Sequence, residues 1–229
     1  TMTFKKRFFP IRILVFLLFL GCALKEKVPE NTPNIIYILA DDLGYGDLSI
    51  YNNYSKIKTP HLDQLAREGM RFMDMHSTSS VCTPTRYSIL TGEYAWRTSL
   101  KTGVLWSYGP LMIPNEKETV AKLLKRNGYQ TAVVGKWHLG LDWQLKTPYQ
   151  VNQIVQNDYG LITDYKVEIV DFSKTPTRGP MQVGFDYSYI LPASLDIPPY
   201  LYLENERFTQ PINDNTEGSN MEGDRDYDF

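Results

Sequence analysis

Short apolar runs and amphipathic segments alternate along the chain, and this alternation limits the folds that it can adopt. Residues 34–39 (NIIYIL) and 131–134 are short and apolar with β-branched side chains, which is typical of buried strands. Residues 61–68 and 116–126 have the apolar spacing of amphipathic helices. The first is followed by Gly69 and the second by Asn127-Gly128. This recurring order predicts an α/β fold, a three-layer domain with a largely parallel central sheet.

Further elements are expected between and beyond these segments. Residues 71–75 read as a short strand, and residues 84–90 read as a helix with a proline in its first turn. Two more strands are expected around residues 165–172 and 186–191, and the acidic residues 213–229 read as a loop.

The chain has 229 residues and a net charge of −2. Its length allows one large domain or two small ones. Because the charge is close to balanced, no strong field favours nucleic acid or an anionic membrane surface as a partner.

The first residues are interpreted as a targeting segment rather than as part of the fold. An unbroken apolar run at residues 13–20 is short for a membrane span, and Gly21-Cys22 follows at the position of a cleavage site. The basic residues before the run are Lys5, Lys6, Arg7 and Arg12. Residues 1–22 are therefore expected to be a signal peptide, of the lipoprotein type if Cys22 carries lipid. A plain signal peptide and an uncleaved anchor are the alternatives.

Residues 23–33 would then form a polar tether, and residues 34–229 would form the folded part. A protein with this organisation is exported. We expect it in the periplasm or on the bacterial outer surface, and its only contact with a membrane would be the N-terminal lipid.

The sequence contains two cysteines, so Cys82 has no partner within the chain if Cys22 carries lipid. Such a thiol is either buried and inert or chemically special. Cys82 opens the segment CTPTR, which is residues 82–86, and LTG follows at residues 90–92.

Two other polar groups come at the ends of predicted strands. Asp41 and Asp42 follow the first strand, and their carboxylate oxygens suit Ca²⁺ or Mg²⁺. Lys136 and His138 follow the strand at residues 131–134 and share one face of an extended chain. Because ligands bind at the carboxyl ends of parallel strands, we expect all four side chains at one edge of the sheet.

Three segments together resemble the type I sulfatases, which are formylglycine-dependent, arylsulfatase-like members of the alkaline phosphatase-like superfamily. They are CTPTR with its following LTG, ADDLGYGD at residues 40–47, and GKWHLG at residues 135–140. The resemblance implies an alkaline phosphatase-like fold and a sulfuric ester hydrolase that acts on aryl or carbohydrate sulfates, as in the degradation of glycans. Its substrate partner would be a sulfated small molecule or glycan.

The resemblance also implies a chemical modification. A formylglycine-generating or anaerobic sulfatase-maturing enzyme would oxidise Cys82 to formylglycine, and it would read Pro84 and Arg86 as it does so. The hydrated aldehyde carries two hydroxyls on one carbon, so one can attack sulfur and the other can later expel sulfate.

The site residues that the resemblance implies fall into three sets. The catalytic set is Cys82, Arg86, Lys136 and His138, with Lys136 as a cation for sulfate oxygens and His138 as a proton carrier near neutral pH. The metal set is Asp41, Asp42 and Cys82, with Ca²⁺ as the expected ion and Mg²⁺ as the alternative. His76 and Asp196 are weaker candidates for substrate contact.

The family pattern also includes a second metal-ligand pair and a further lysine, which we expect beyond Phe229. Asp214-Asn215 matches that pair literally, but no apolar strand precedes it. Two carboxylates leave Ca²⁺ short of its usual oxygens, so the 229-residue chain is expected to be inactive by itself.

Two other functions stay open from the sequence. One is a phosphonate or phosphodiester hydrolase of the same superfamily. The other is a truncated, non-catalytic protein that binds sulfated glycans. The GKWHLG segment favours sulfate over phosphorus esters.

Overall fold

The computed structural model of the chain describes residues 32–148 and 169–212. The chain divides into two compact units, Thr1–Ile38 and Leu39–Phe229, and every helix and strand below belongs to the second unit. In the described ranges, no helix combines the length and the hydropathy that crossing a membrane requires.

The described strands form one sheet in the order β1 (Ala132–Lys136), β2 (Tyr187–Leu191), β3 (Leu203–Glu204) and β4 (Arg207–Phe208). Strands β1 and β2 are parallel, whereas β2–β3 and β3–β4 are antiparallel. The two longer strands confirm the strands predicted at residues 131–134 and 186–191. Their parallel pairing agrees with the predicted α/β order, but within the described ranges the sheet is mixed rather than largely parallel.

Three α-helices lie in the described ranges, and two 3₁₀ turns accompany them. The helices are α1 (Pro60–Glu68), α2 (Cys82–Thr91) and α3 (Val120–Arg126), and the turns are Tyr45–Asp47 and Ala95–Arg97. All three α-helices were predicted. Helix α3 begins later than the pattern indicates because the Thr119 hydroxyl accepts a hydrogen bond from the amide of Lys122 and caps the helix there.

Two strand predictions are wrong, and one lies half outside the described ranges. Residues 34–39 carry no strand pairing and expose Ile36 and Ile38, and residues 71–75 likewise form no strand. An apolar, β-branched run becomes a strand only where neighbouring chain completes its hydrogen-bond ladder, and the pattern does not reveal that partner. Residues 165–168 and 213–229 are not described, and Val170 forms only an isolated bridge with Leu145.

The core lies around the segment that follows β1 rather than on β1 itself. Val134 within the strand is 71% exposed, whereas Trp137, Leu139 and Leu141 are almost fully buried. The segment is held from both sides, since the Leu139 carbonyl accepts from the amide of Met112 and the Leu141 amide donates to Gly109. The GKWHLG segment is therefore a rigid, internal part of the domain.

Gly140 is fixed by space as well as by conformation. Its φ is +78°, and a Cβ there would stand 2.0 Å from the carbonyl oxygen of Pro110. Gly103 has a similar φ of +72°, but a Cβ there would meet nothing within 4 Å. Comparison of the two positions therefore distinguishes the cost of backbone strain, which both share, from the cost of steric overlap, which only Gly140 has.

We predict that Gly140→Ala destabilises the protein by at least about 2 kcal/mol more than Gly103→Ala. Both variants place a Cβ in the left-handed region, but only Gly140→Ala also forces two backbone segments apart. Urea denaturation of both variants and the wild type measures the difference. Equal losses of stability would show that the close approach to Pro110 is not rigid.

Candidate active site

The carboxyl end of β1 meets the N-terminus of α2, and Cys82 lies at this junction as the first residue of its helix. Lys136, the last residue of β1, donates from Nζ to the Cys82 thiol at 3.1 Å. The same ammonium group pairs with Asp41 at 2.8 Å. Three residues that are distant in sequence are thus joined through one side chain.

Arg86 closes this arrangement from one turn further along α2. Its Nη2 donates to the Asp41 carboxylate at 3.2 Å, and its Nη1 donates to the backbone carbonyl of Lys136 at 2.5 Å. The side chain is only 13% exposed. Arg86 therefore ties the helix to the strand end and gives Asp41 a second cationic partner.

The charges of this cluster are stabilised by one another. Partial burial would raise the pKa of Asp41, but the hydrogen bond and charge of Lys136, together with the charge of Arg86, lower it below its ordinary value. Burial would likewise lower the pKa of Lys136, but its bonds to Asp41 and Cys82 outweigh that effect and raise it. At neutral pH the cluster holds a carboxylate between two cations.

His138 lies within the domain rather than at its surface, with 2% of its area exposed. Burial, together with the charges of Lys136 and Arg86, lowers its pKa to about 4. Its Nε2 lies 2.8 Å from the carbonyl of Leu105, and a carbonyl only accepts, so Nε2 carries the proton. The ring is a neutral imidazole at pH 7, which differs from the expectation that it titrates near neutrality.

The other ring nitrogen of His138 is the unusual one. Nδ1 is buried and has no hydrogen-bond partner among the described residues. Because Nε2 holds the proton, Nδ1 carries a free lone pair. Nδ1 of His138 can therefore accept a proton but has none to donate.

Backbone strain coincides with the site. Asp42 and His138 both have φ of +53°, in the left-handed region that residues with a Cβ seldom adopt. Such a conformation costs about 1–2 kcal/mol and persists where surrounding contacts impose it. At Asp42 the positive φ turns the backbone directly after Asp41.

A metal site was predicted at Asp41, Asp42 and Cys82. Within residues 32–148 and 169–212, no group of three or more His, Cys, Asp or Glu side chains is placed to hold a metal ion. The adjacent carboxylates of Asp41 and Asp42 suit a hard cation, and Asp41 is already ionised. The two carboxylates therefore fit the oxygen ligands that a hard divalent cation requires.

The two weaker candidates differ in position. The side chain of His76 is 82% exposed and bonds to Asp74, outside the Lys136 cluster. Asp196 is exposed and accepts a hydrogen bond from Ser194, and its negative charge raises the pKa of His138 slightly. Asp196 is therefore near enough to His138 to act on it electrostatically, whereas the bond of His76 is to a residue two positions earlier in its own segment.

Sequence reasoning missed Thr83, the residue after Cys82. Its side chain is fully buried, and its hydroxyl bonds to the backbone of both His138 and Leu105. The position of Thr83 within the CTPTR segment is the one feature of the sequence that could have pointed to it. Its contacts with His138 and Leu105 span 55 and 22 residues, so they are visible only in the folded structure.

The fold and the site together define a class of protein. A cysteine at a helix N-terminus, faced by a strand-end lysine and beside a paired carboxylate, makes a centre suited to anionic substrates. The sulfatase family model matches residues 33–214, and the chain belongs to the sulfatase family.

Known relatives agree with this family. An N-acetylgalactosamine-6-O-sulfatase of Bacteroides thetaiotaomicron is 40% identical over 191 residues, which cover 81% of this chain and 32% of the relative. Human arylsulfatase A is 49% identical over 109 residues, which cover 48% of this chain and 21% of the relative. The chain therefore spans about a third or less of the length of these relatives.

A solved structure gives the same fold. It comes from work on the metabolism of multiple glycosaminoglycans by Bacteroides thetaiotaomicron and superimposes with a TM-score of 0.62 at 39% identity. The match covers 77% of this chain and 32% of that one. The alkaline phosphatase-like α/β fold class is thereby confirmed.

We predict that neutral, buried His138 makes the protein less stable as the pH falls from 6.5 towards 4. Its pKa of about 4 in the folded chain lies below its ordinary value of 6.5, so protonation favours the unfolded chain. The contribution is complete above pH 6.5 and amounts to about 3 kcal/mol when it is lost in full. Urea denaturation across this pH window measures it.

The matched variants are His138→Gln and His61→Gln, since His61 is an exposed residue of α1. His138→Gln should flatten the dependence of stability on pH in this window, and His61→Gln should leave it unchanged. A wild-type stability that is constant from pH 6.5 to pH 4 would contradict the buried, neutral state of His138.

Proposed function

We propose that the complete protein is a sulfuric ester hydrolase that cleaves aryl or carbohydrate sulfates with a formylglycine derived from Cys82. The observation that carries this proposal is the Lys136 ammonium, 3.1 Å from the Cys82 sulfur at the start of α2. Membership of the sulfatase family supports the same activity. No other cysteine lies in the described ranges, so Cys82 is the residue available there for this modification.

Lys136 and the N-terminus of α2 would bind the sulfate. The ammonium group is a compact cation, and the first amides of a helix point at a bound anion. Lys136 stays charged because its bonds to Asp41 and Cys82 raise its pKa. In this arrangement the sulfate oxygens would lie between the helix and the strand end, next to the reacting atom on residue 82.

Arg86 and His138 would have different roles at that centre. Arg86 holds both Asp41 and the backbone of Lys136, so it fixes the distance between helix and strand. His138 is neutral, and its Nδ1 lone pair can accept a proton, whereas its Nε2 proton is committed to Leu105. We assign His138 the role of a proton acceptor rather than that of a cation.

Asp41 and Asp42 would hold a divalent metal ion, with the group at position 82 as a further ligand. Ca²⁺ is the proposed ion and Mg²⁺ the alternative, because carboxylates are hard ligands. When bound, the metal supplies positive charge that favours loss of a proton from the nucleophile and stabilises developing negative charge.

The substrate is proposed to be a sulfated glycan or a sulfated small molecule. A relative that is 40% identical is named as an N-acetylgalactosamine-6-O-sulfatase, which supports a sulfated sugar. The N-terminal pattern supports export to the periplasm or outer surface, with lipid at Cys22. Conversion of Cys82 to formylglycine requires a maturing enzyme as a partner.

We predict that Cys82→Ala reduces sulfate release by the mature protein to background, because the nucleophile is removed. Lys136→Met should lower kcat/KM by about 10²-fold to 10³-fold, since it removes a charge that faces the developing anion. Hydrolysis of 4-nitrophenyl sulfate measures both effects, with protein expressed from the complete gene together with a maturing enzyme.

Lys174→Met is the matched control, because Lys174 pairs with Asp171 at the surface and should be dispensable for activity.

Esters with the same 4-nitrophenyl leaving group also test the alternative functions. Faster hydrolysis of 4-nitrophenyl phosphate or its diester would assign the protein to phosphorus esters. Tight binding of a sulfated glycan without turnover, with Cys82 unmodified, would make it a binding protein.

We predict that Asp41→Asn weakens Ca²⁺ binding by the mature protein at least about tenfold, because a charged ligand is replaced by a neutral one. Isothermal titration calorimetry with Ca²⁺ and with Mg²⁺ measures the affinity and identifies the preferred ion. Asp171→Asn is the control, since Asp171 bonds to Lys174 and Ser173. Unchanged affinity in Asp41→Asn would remove Asp41 from the ligand set.

A further inference from the structure

One buried hydroxyl connects three parts of the candidate active site. Thr83 Oγ1 donates to the carbonyl of His138 at 2.9 Å and accepts from the amide of Leu105 at 3.1 Å. The Leu105 carbonyl in turn accepts from His138 Nε2 at 2.8 Å. All three residues are at most 2% exposed, so no solvent competes for these bonds.

This triangle explains how His138 is held in a strained conformation. Its φ is +53°, and its backbone is bound on both sides of the Cα, by Pro192 at the amide and by Thr83 at the carbonyl. The imidazole is bound separately through Leu105. Several simultaneous bonds are what keep a residue with a Cβ in the left-handed region.

The Thr83 hydroxyl controls both ends of the imidazole hydrogen bond. It holds His138 by its carbonyl and Leu105 by its amide, so the donor ring and the accepting residue share one anchor. Thr83 is also covalently next to Cys82, in the first turn of α2. Displacement of the hydroxyl would therefore move His138 relative to the reacting residue.

We infer that Thr83 is a positioning residue, which sets the tautomer of His138 and its distance from residue 82 in the proposed sulfatase reaction. This inference rests on the proposed function for its effect on catalysis, but not for its effect on His138. Removal of the hydroxyl leaves the His138 carbonyl and the Leu105 amide buried and without this partner. The structure can restore their bonds only by shifting the segment that bears His138.

The test compares Thr83→Val, which keeps the shape but loses the hydroxyl, with Thr83→Ser, which keeps the hydroxyl. ¹⁵N-histidine labelling allows the ring nitrogens of the histidines to be observed by NMR, and comparison with His138→Gln identifies the signals of His138. We expect the Nε2–H tautomer of His138 in the wild type and in Thr83→Ser, and a changed or mixed tautomer in Thr83→Val.

Kinetics of the mature protein provide the second readout. We expect Thr83→Val to lower kcat about tenfold or more, because misplacement of a catalytic group lowers the rate, with a change in KM of less than about threefold. Lys136 is untouched, which is why substrate binding should persist. Thr83→Ser should restore kcat to within about threefold of the wild type, since its hydroxyl can make the same bonds.

A Thr83→Val protein with an unchanged His138 tautomer and unchanged kcat would overturn the inference. If wild-type protein lacks sulfatase activity, the proposed function fails, and the NMR comparison alone then decides the role of Thr83. Near-UV circular dichroism reports whether each variant folds. If Thr83→Val does not fold, Thr83→Ala takes its place, and failure of both to fold would make Thr83 a structural residue and overturn its positioning role.

Discussion

The pairing of the Lys136 ammonium with both the Asp41 carboxylate and the Cys82 thiol is the interaction on which the site depends. Partial burial of the carboxylate and of the ammonium costs desolvation free energy, and the attraction between the two opposite charges offsets that cost. Here the opposite charges lower the pKa of Asp41 and raise that of Lys136, so each group stabilises the charge of the other. Arg86 adds a second cation and ties the same carboxylate to α2.

Next to this charged cluster lie neutral, buried polar groups that are held in place by hydrogen bonds. His138 is held by three hydrogen bonds through its amide, carbonyl and ring, and the Thr83 hydroxyl contributes to this arrangement twice. Nδ1 of His138 is the member of this network without a hydrogen-bond partner, and the satisfied bonds among the other groups make the network rigid. The close approach of Gly140 to Pro110 confines the same segment from its other end. Opposite charges therefore hold the segments of the candidate active site together, and hydrogen bonds and close packing fix the position of His138.

Membership of the family and the proposed activity rest on different observations. The family match establishes the scaffold and the motifs, and they support sulfate ester hydrolysis as the proposed activity. The chain covers 32% of the length of one relative. Its described residues include Cys82 with its cationic partner Lys136, and among them no group of three or more His, Cys, Asp or Glu side chains is placed to hold a metal ion. Specificity among sulfated substrates depends on groups around this centre, because a fold alone does not fix function.

The sequence by itself determined the α/β alternation, the three α-helices, the two longer strands and the segments that meet at the site. These features are local: apolar spacing, capping residues and short motifs with fixed neighbours specify them. It could not show that residues 34–39 and 71–75 lack strand partners, because pairing depends on chain far away in sequence. Only the tertiary structure decided that His138 is neutral and buried, and that Thr83 bonds across 55 residues to reach it. Burial and long-range hydrogen bonds arise from the packing of separate segments, and no local pattern encodes which of them will meet.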